Sequence, residues 1–342
     1  MKVIVDNKIP YIKEAIEQIA DEVVYAPGKD FTPELIHDAD ALIIRTRTHC
    51  NRSLLAGSKV KFIATATIGF DHIDTAYCRE AGITWTNAPG CNSASVAQYI
   101  QSALFILQQT HAMKLHQMTI GIVGVGNVGS KVADVARKLG MRVMLNDLPR
   151  AEKEESTMFT TLENIAKECD IITFHVPLYK EGKYKTYHLA DKHFFRSLKK
   201  GAIVMNTSRG EVIETALQSG ILSDAVIDVW EHEPDINLKL LEKVIIGTPH
   251  IAGYSADGKA NATRMSLEAL CRFFWIEAGY QIVPPEPENK IISATTYEAA
   301  SLQIYDPRRD SDALKTHPKL FEQLRGDYPL RREEGAYKIN IS

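Results

Sequence analysis

The feature that most constrains this chain is a glycine pattern, Gly124-Val125-Gly126-Asn127-Val128-Gly129. It lies between an apolar run of strand character, Met118 to Val123, and a helix-like run, Ser130 to Leu139. A second apolar run, Met141 to Leu145, then leads to an acid, Asp147. Each part has a physical task in a dinucleotide fold. Gly124 admits the tight turn, Gly126 lacks a Cβ and lets a pyrophosphate reach the backbone, and Gly129 lets helix and strand pack closely. The helix start, with Asn127 and Val128, offers unpaired N–H groups and a positive dipole end to phosphates. An acid about twenty residues beyond the first glycine accepts hydrogen bonds from ribose hydroxyls and repels a 2′-phosphate, which favours NAD over NADP. Arg150 would blunt that preference unless Pro149 turns it aside. The fingerprint alone is equally a tight turn with no ligand, but strand, glycines, helix, strand and acid in order favour NAD binding.

The rest of the chain alternates in the same way. Val3–Val5, Ala41–Ile44, Phe62–Thr65 and Ile83–Thr86 are apolar runs of strand length, separated by helical stretches such as Tyr11–Ala20 and Ile73–Ala81. Thr32-Pro33-Glu34 is a helix start, with Thr32 as cap and Pro33 in the first turn. Long helical patterns run from Ser95 to Thr110 and from Ala256 to Glu277, and further strands are expected at Ile171–Phe174, Ile203–Asn206, Ala225–Asp228 and Val244–Ile246. Alternating strand and helix imply parallel sheets with helices on both faces. The expected architecture is α/β: two Rossmann-like or flavodoxin-like, doubly wound parallel-sheet domains plus a small α+β C-terminal domain. Residues 1–95 with 256–280 form the first domain, 96–255 the nucleotide domain, and 286–342 the last, after the proline-rich Val283–Pro287.

Composition narrows the function class. The 342 residues carry a net charge of −3, with 45% hydrophobic and 24% charged residues, as in a globular enzyme and without the basic balance of a nucleic-acid binder. No apolar run reaches transmembrane length. The five cysteines are scattered without metal-ligand spacing and read as reduced thiols of a cytoplasmic protein, with no metal expected.

Three motifs fall at expected strand ends, where open α/β sheets bind ligands: Asn206-Thr207-Ser208-Arg209-Gly210, Asp228-Val229-Trp230-Glu231-His232-Glu233-Pro234, and Thr248-Pro249-His250-Ile251-Ala252-Gly253-Tyr254. Oxidising an alcohol needs a base for the hydroxyl proton, a cation for a substrate carboxylate and a fixed cofactor. His250 suits the proton step, Glu233 can set its tautomer and support the imidazolium, Arg209 can grip a carboxylate with two donors, and Asp228 can bond the nicotinamide carboxamide. Singly, each is equally a surface or turn residue; the ordered set behind a dinucleotide fold favours catalysis.

This ordered set resembles the D-isomer-specific 2-hydroxyacid dehydrogenase family over residues 1–280. The resemblance implies Arg209, Glu233 and His250 as catalytic residues. It implies NAD contacts from Gly124, Gly126, Asn127, Val128, Gly129, Asp147, Thr207, Ser208, Arg209, Asp228 and Gly253, and from the backbone of Val176 in Phe174-His175-Val176-Pro177-Leu178. Three stretches, Ala64 to Asp74, Ala88 to Asn92 and Tyr184 to Leu189, resemble more closely a branch of the family that acts on a small phosphorylated hydroxy acid. Tyr305 to Asp310 and Leu330 to Glu333 resemble that branch's extra C-terminal dimerisation domain, which implies a homodimer. Substrate contacts carried over from the branch fall on Thr46, Thr67 and Tyr254. Arg45 and Arg47 flank Thr46 and are either phosphate ligands or solvated loop residues. A sister 2-hydroxyacid dehydrogenase and a dinucleotide-sensing corepressor remain alternatives; the intact Arg209, Glu233 and His250 set favours an enzyme. No nucleic-acid or membrane partner is expected.

Overall fold

The architecture is that of a computed structural model describing residues 1–213, 224–277 and 279–342. It divides into two compact units, Met1–Asn92 with Ser255–Glu286, and Ser93–Tyr254 with Pro287–Ser342.

The first unit holds a five-stranded parallel sheet of β1 (Lys2–Asp6), β2 (Glu22–Ala26), β3 (Ala41–Ile44), β4 (Phe62–Thr65) and β5 (Thr84–Thr86), in the order β2-β1-β3-β4-β5. This is the flavodoxin-like winding. The central strands β3 and β4 are buried at every position, which explains their unbroken apolar sequence. Helix Ala256–Phe274 packs Ala260, Leu267 and Leu270 against Val5, Ile43 and Phe62 on one face, while Ile36, Leu54 and Ile63 belong to the core on the other. Thr32 caps its short helix as expected, accepting from the Leu35 N–H at 3.3 Å. Strand β2 has no clear sequence signal because it is an edge strand, half-buried and opened by a charged residue.

The second unit is built on β6 (Thr119–Val123), β7 (Arg142–Asn146), β8 (Ile171–Phe174), β9 (Ile203–Asn206), β10 (Asp224–Ile227) and β11 (Ile246–Gly247), all parallel, in the order β11-β10-β9-β8-β6-β7. A further parallel bridge, Leu145 to Phe159, extends the sheet beyond β7. With it the winding becomes that of a Rossmann fold, and the reversal of strand order falls beside β6, at whose end the glycines stand. Helix Ser93–His111 is buried along most of its length, with Ile100, Leu104 and Leu107 packed into the same core as Ile120 and Val132.

The C-terminal segment is α+β, as expected, with a two-stranded parallel sheet of β12 (Ile291–Ala294) and β13 (Lys338–Ile341) and three helices between them. Its contacts group it with Ser93–Tyr254 in the second unit. The reason is physical. Tyr305 is built into the core beside helix Ser93–His111, and Leu314 and Phe321 pack with Ile227, Trp230 and Leu241. Helix Arg308–Thr316 also covers the open edge of the sheet: Ser311 Oγ accepts from the Gly247 N–H at 3.0 Å, and Lys315 Nζ donates to the Val244 carbonyl at 2.6 Å. An uncovered edge strand is a pairing hazard, and a helix is one of the ways proteins close it.

Candidate active site

The glycine turn has the shape a pyrophosphate site needs. Gly124 has φ +89°, and a Cβ there would lie 2.7 Å from the His175 backbone. A Cβ at Gly129 would lie 1.9 Å from the Gly124 carbonyl, so helix Asn127–Lys138 meets the turn backbone to backbone. A Cβ at Gly126 would meet nothing within 4 Å. The open side of the turn therefore lies at Gly126, at the head of the helix, where phosphates are favoured. These residues fit a dinucleotide.

Asp147 ends β7 and caps helix Leu148–Glu154. Its Oδ2 accepts from the Val125 N–H at 2.8 Å, tying it to the glycine turn, and its Oδ1 accepts from the Arg150 N–H at 3.1 Å. Each oxygen keeps acceptor capacity for a ribose hydroxyl. The Arg150 guanidinium itself is drawn to Glu154 at 2.6 Å and to the Val125 carbonyl at 2.6 Å. Asp147→Ser is expected to narrow the NAD to NADP ratio of catalytic efficiencies by about ten- to a hundredfold, the worth of charge-assisted hydrogen bonds. An unchanged ratio would mean that Asp147 does not face the ribose.

The three strand-end motifs form one network. Asn206, buried at the end of β9, holds the following loop in place: its Oδ1 accepts from the Ser208 N–H at 3.0 Å and the Ser208 hydroxyl at 2.7 Å, and its Nδ2 donates to the Arg209 carbonyl at 2.9 Å. Arg209 projects from this loop, exposed, with Nη1 on the Ser208 carbonyl at 2.7 Å. A Cβ at Gly210 would lie 2.0 Å from the Trp230 carbonyl carbon. The loops bearing Arg209 and Glu233 are thus packed backbone to backbone, and no larger residue fits between them.

Glu233 and His250 form the hydrogen-bonded pair expected of a base and its orienter. Glu233 Oε2 lies 2.8 Å from His250 Nδ1, and its Oε1 accepts from the Trp230 N–H at 2.9 Å. Burial pushes the Glu233 carboxyl up, but the His250 hydrogen bond and charge, with the Trp230 N–H and Arg325, outweigh it and hold the group below its ordinary value. An ionised Glu233 fixes hydrogen on Nδ1 and leaves Nε2 as the nitrogen not held by the pair, on a side chain that is 29% exposed.

Asp228 also has a structural part. Its carboxylate is buried and accepts from the Thr248 hydroxyl at 2.7 Å, the Ile251 N–H at 2.8 Å and the Ala252 N–H at 3.0 Å. Burial pushes its pKa up, opposed by the charge of His250, the Thr248 hydroxyl and the two N–H groups. It therefore anchors the loop that carries His250. Thr248 in turn takes the Tyr99 hydroxyl at 2.7 Å, and Trp230 Nε1 donates to the Thr248 carbonyl at 2.9 Å. Asn206, Thr248, Tyr99 and Trp230 were not singled out from the sequence. Only the neighbourhood of the motifs could have flagged the first two, and Tyr99 carries no local signal.

The remaining expected residues lie as follows. Thr207 Oγ1 is 3.1 Å from His175 Nδ1, Val176 stands against the Gly124 turn, and Gly253 and Tyr254 follow the anchored loop, Tyr254 accepting from Arg325 Nε at 2.9 Å. Thr46 and Thr67 belong to the first unit. Thr46 is exposed on the turn after β3. Thr67 is more than a strand-former: its hydroxyl donates to the Gly69 carbonyl at 2.9 Å and lies 2.6 Å from the Thr65 hydroxyl. Arg45 reaches back to the buried Asp6 at 3.3 Å, whereas Arg47 is exposed.

Comparison with known proteins agrees with this geometry. The family model for the NAD binding domain of D-isomer specific 2-hydroxyacid dehydrogenases matches residues 93–252. The chain is 86% identical, over 100% of both chains, to an erythronate-4-phosphate dehydrogenase of Bacteroides fragilis. It is 72% identical, over 99% of both, to one of Bacteroides thetaiotaomicron. Among solved structures, NAD⁺-bound 3-phosphoglycerate dehydrogenase of Entamoeba histolytica matches with TM-score 0.64 at 27% identity, covering 80% of this chain and 95% of that one. Fold and site together define an NAD-dependent dehydrogenase of the 2-hydroxyacid class. Within that class the chain belongs to the erythronate-4-phosphate dehydrogenase family.

Proposed function

We propose that the protein oxidises 4-phospho-D-erythronate with NAD⁺ to 3-hydroxy-2-oxo-4-phosphooxybutanoate, as a step toward pyridoxal 5′-phosphate. The observation that carries this reading is the His250 and Glu233 pair, anchored through Asp228 at the carboxyl ends of a dinucleotide-binding sheet, in a chain whose full-length relatives bear that enzyme's name. His250 Nε2 takes the proton of the substrate 2-hydroxyl, and Glu233 supports the imidazolium that results. Arg209 holds the carboxylate and polarises the forming carbonyl. NAD⁺, when bound, supplies the hydride acceptor. Thr46, Thr67 and Tyr254 are assigned to the phosphorylated chain of the substrate; Arg45, already drawn to Asp6, is a weaker phosphate ligand than Arg47.

A substrate panel followed by NADH absorbance tests this. 4-Phosphoerythronate should exceed 3-phosphoglycerate, lactate and glycerate in kcat/KM. Dephosphorylated erythronate should be poorer by about two orders of magnitude or more, because charge-assisted contacts of about 1.5–3 kcal/mol each leave the transition state. Equal efficiency with erythronate and its 4-phosphate would defeat the assignment.

The C-terminal segment is assigned to homodimerisation. Ile291, Leu320, Leu330 and Ile341 are exposed apolar residues on it, and two-fold pairing is the commonest way soluble chains cover such surface. Light scattering at micromolar concentration should give twice the 38.2 kDa chain mass; a monomer at that concentration would rule it out. No helix among the described residues is long and apolar enough to cross a membrane. The protein is assigned to the cytoplasm, whose reducing conditions suit its five buried cysteines, none of which forms a disulfide. Activity recovered with the membrane pellet after cell disruption would count against that.

A further inference from the structure

The C-terminal segment sends a buried cation to the loop that carries His250. Arg331 is 4% exposed, and its Nη2 donates to the Ala252 carbonyl at 2.5 Å and approaches the Ser95 carbonyl at 3.5 Å. Its guanidinium lies 4.3 Å from the Tyr305 ring centroid and 6.0 Å from that of Tyr328. Both tyrosine hydroxyls donate to the buried Asp310, at 3.0 and 2.7 Å. The cation is thus supported by two ring faces and, through their hydroxyls, by a carboxylate behind them.

Burying a guanidinium is costly, and leucine or methionine fills such a space at less expense. What a guanidinium adds here is a directed donor. Its target is specific: Ala252 also gives its N–H to Asp228 Oδ2 at 3.0 Å. The residue two places after His250 is therefore held on both sides, the N–H by a buried anion and the carbonyl by a buried cation. His250 itself has φ +58°, a left-handed conformation that a non-glycine residue keeps only when its surroundings hold it there. The Asp228 side of the clamp belongs to the nucleotide-binding sheet; the Arg331 side comes from the segment beyond residue 286.

We propose that Arg331 is a positioning residue for His250: it holds the His250 loop by the Ala252 carbonyl and so makes the C-terminal segment a working part of the second unit's catalytic machinery. This rests on the reading of His250 as the acid–base group.

The test uses the full chain with NAD⁺ and 4-phosphoerythronate. In Arg331→Met, kcat should fall by about ten- to a hundredfold, while NAD affinity, measured by fluorescence titration, and KM for NAD⁺ stay near wild type. Arg331→Lys keeps the charge but delivers its donor from a different point, and should fall between the two. If the methionine variant does not fold, the lysine variant decides. Wild-type kcat in either folded variant overturns the proposal, as does a loss of kcat matched by an equal loss of NAD affinity, which is the mark of a merely structural role. The His250→Ala background separates this failure from failure of the underlying reading. There, Arg331→Met should cost almost nothing further, because the group it positions is gone; an undiminished additional loss overturns the proposal. Near-wild-type turnover in His250→Ala alone would instead overturn the acid–base assignment.

Discussion

His250→Ala is expected to lower turnover by about two to four orders of magnitude, the usual worth of a positioned acid–base group, and to leave NAD affinity nearly unchanged. The side chain stands at the end of β11, on a loop fixed by Asp228, with Nδ1 committed to Glu233 at 2.8 Å. Only Nε2 remains to meet a hydroxyl, and alanine offers nothing in its place. Glu233→Gln should cost less than His250→Ala, because the amide can keep the ring oriented but cannot stabilise its charged form. The Glu233 carboxyl is held below its ordinary value, so the stabilisation it lends the pair is present at neutral pH and is lost only as pH falls through that lowered value. Near-wild-type turnover in a folded, NAD-binding alanine variant would rule the assignment out.

Asp228→Ala should be the most destabilising single change in the site. The carboxylate accepts from the Thr248 hydroxyl and from the Ile251 and Ala252 N–H groups. All three donors are in buried surroundings, and alanine strands them. A stranded buried donor costs about 1–3 kcal/mol, so three give about 3–9 kcal/mol; losing the cost of burying the carboxylate offsets part of this and leaves an expected loss of about 3–5 kcal/mol of unfolding free energy. Asp228→Asn, with one accepting oxygen, should lose less. Denaturant midpoints at unchanged m-value measure both. A loss below about 1 kcal/mol in the alanine variant, within the range of an ordinary substitution, would mean that the loop does not depend on this anchor.

The parts of the fold read correctly from sequence were those whose cause is local. The glycines, the acid after β7 and the fully buried strands β3, β4, β8 and β9 each follow from a short run of residues and a steric or solvation rule. The edge strand β2 escaped because half-exposed edges lose the apolar signature. The reach of the C-terminal segment escaped for another reason: Val283–Pro287 looks like a linker, and nothing nearby tells that Tyr305 will be buried beside helix Ser93–His111 or that Ser311 will close the edge at Gly247. Arg209, Glu233 and His250 stand out in the sequence because their chemistry is distinctive at strand ends. Their supports do not. Asn206 and Thr248 look like ordinary strand-end residues, while Tyr99 reaches Thr248 and Arg331 reaches the Ala252 carbonyl from distant parts of the chain. Asp228 stands out at its strand end, but its anchoring of the His250 loop does not, because the donors it accepts from lie twenty and more positions away.

A second histidine stands close to the glycine turn. His175 lies between two threonine hydroxyls, Thr207 at 3.1 Å and Thr173 at 3.0 Å, and burial pushes its pKa down to about 3. It is electrically silent over the whole range in which enzymes of this kind are assayed. A titration of activity in that range therefore carries no contribution from His175, and in an NMR titration its ring protons should stay still over the same range.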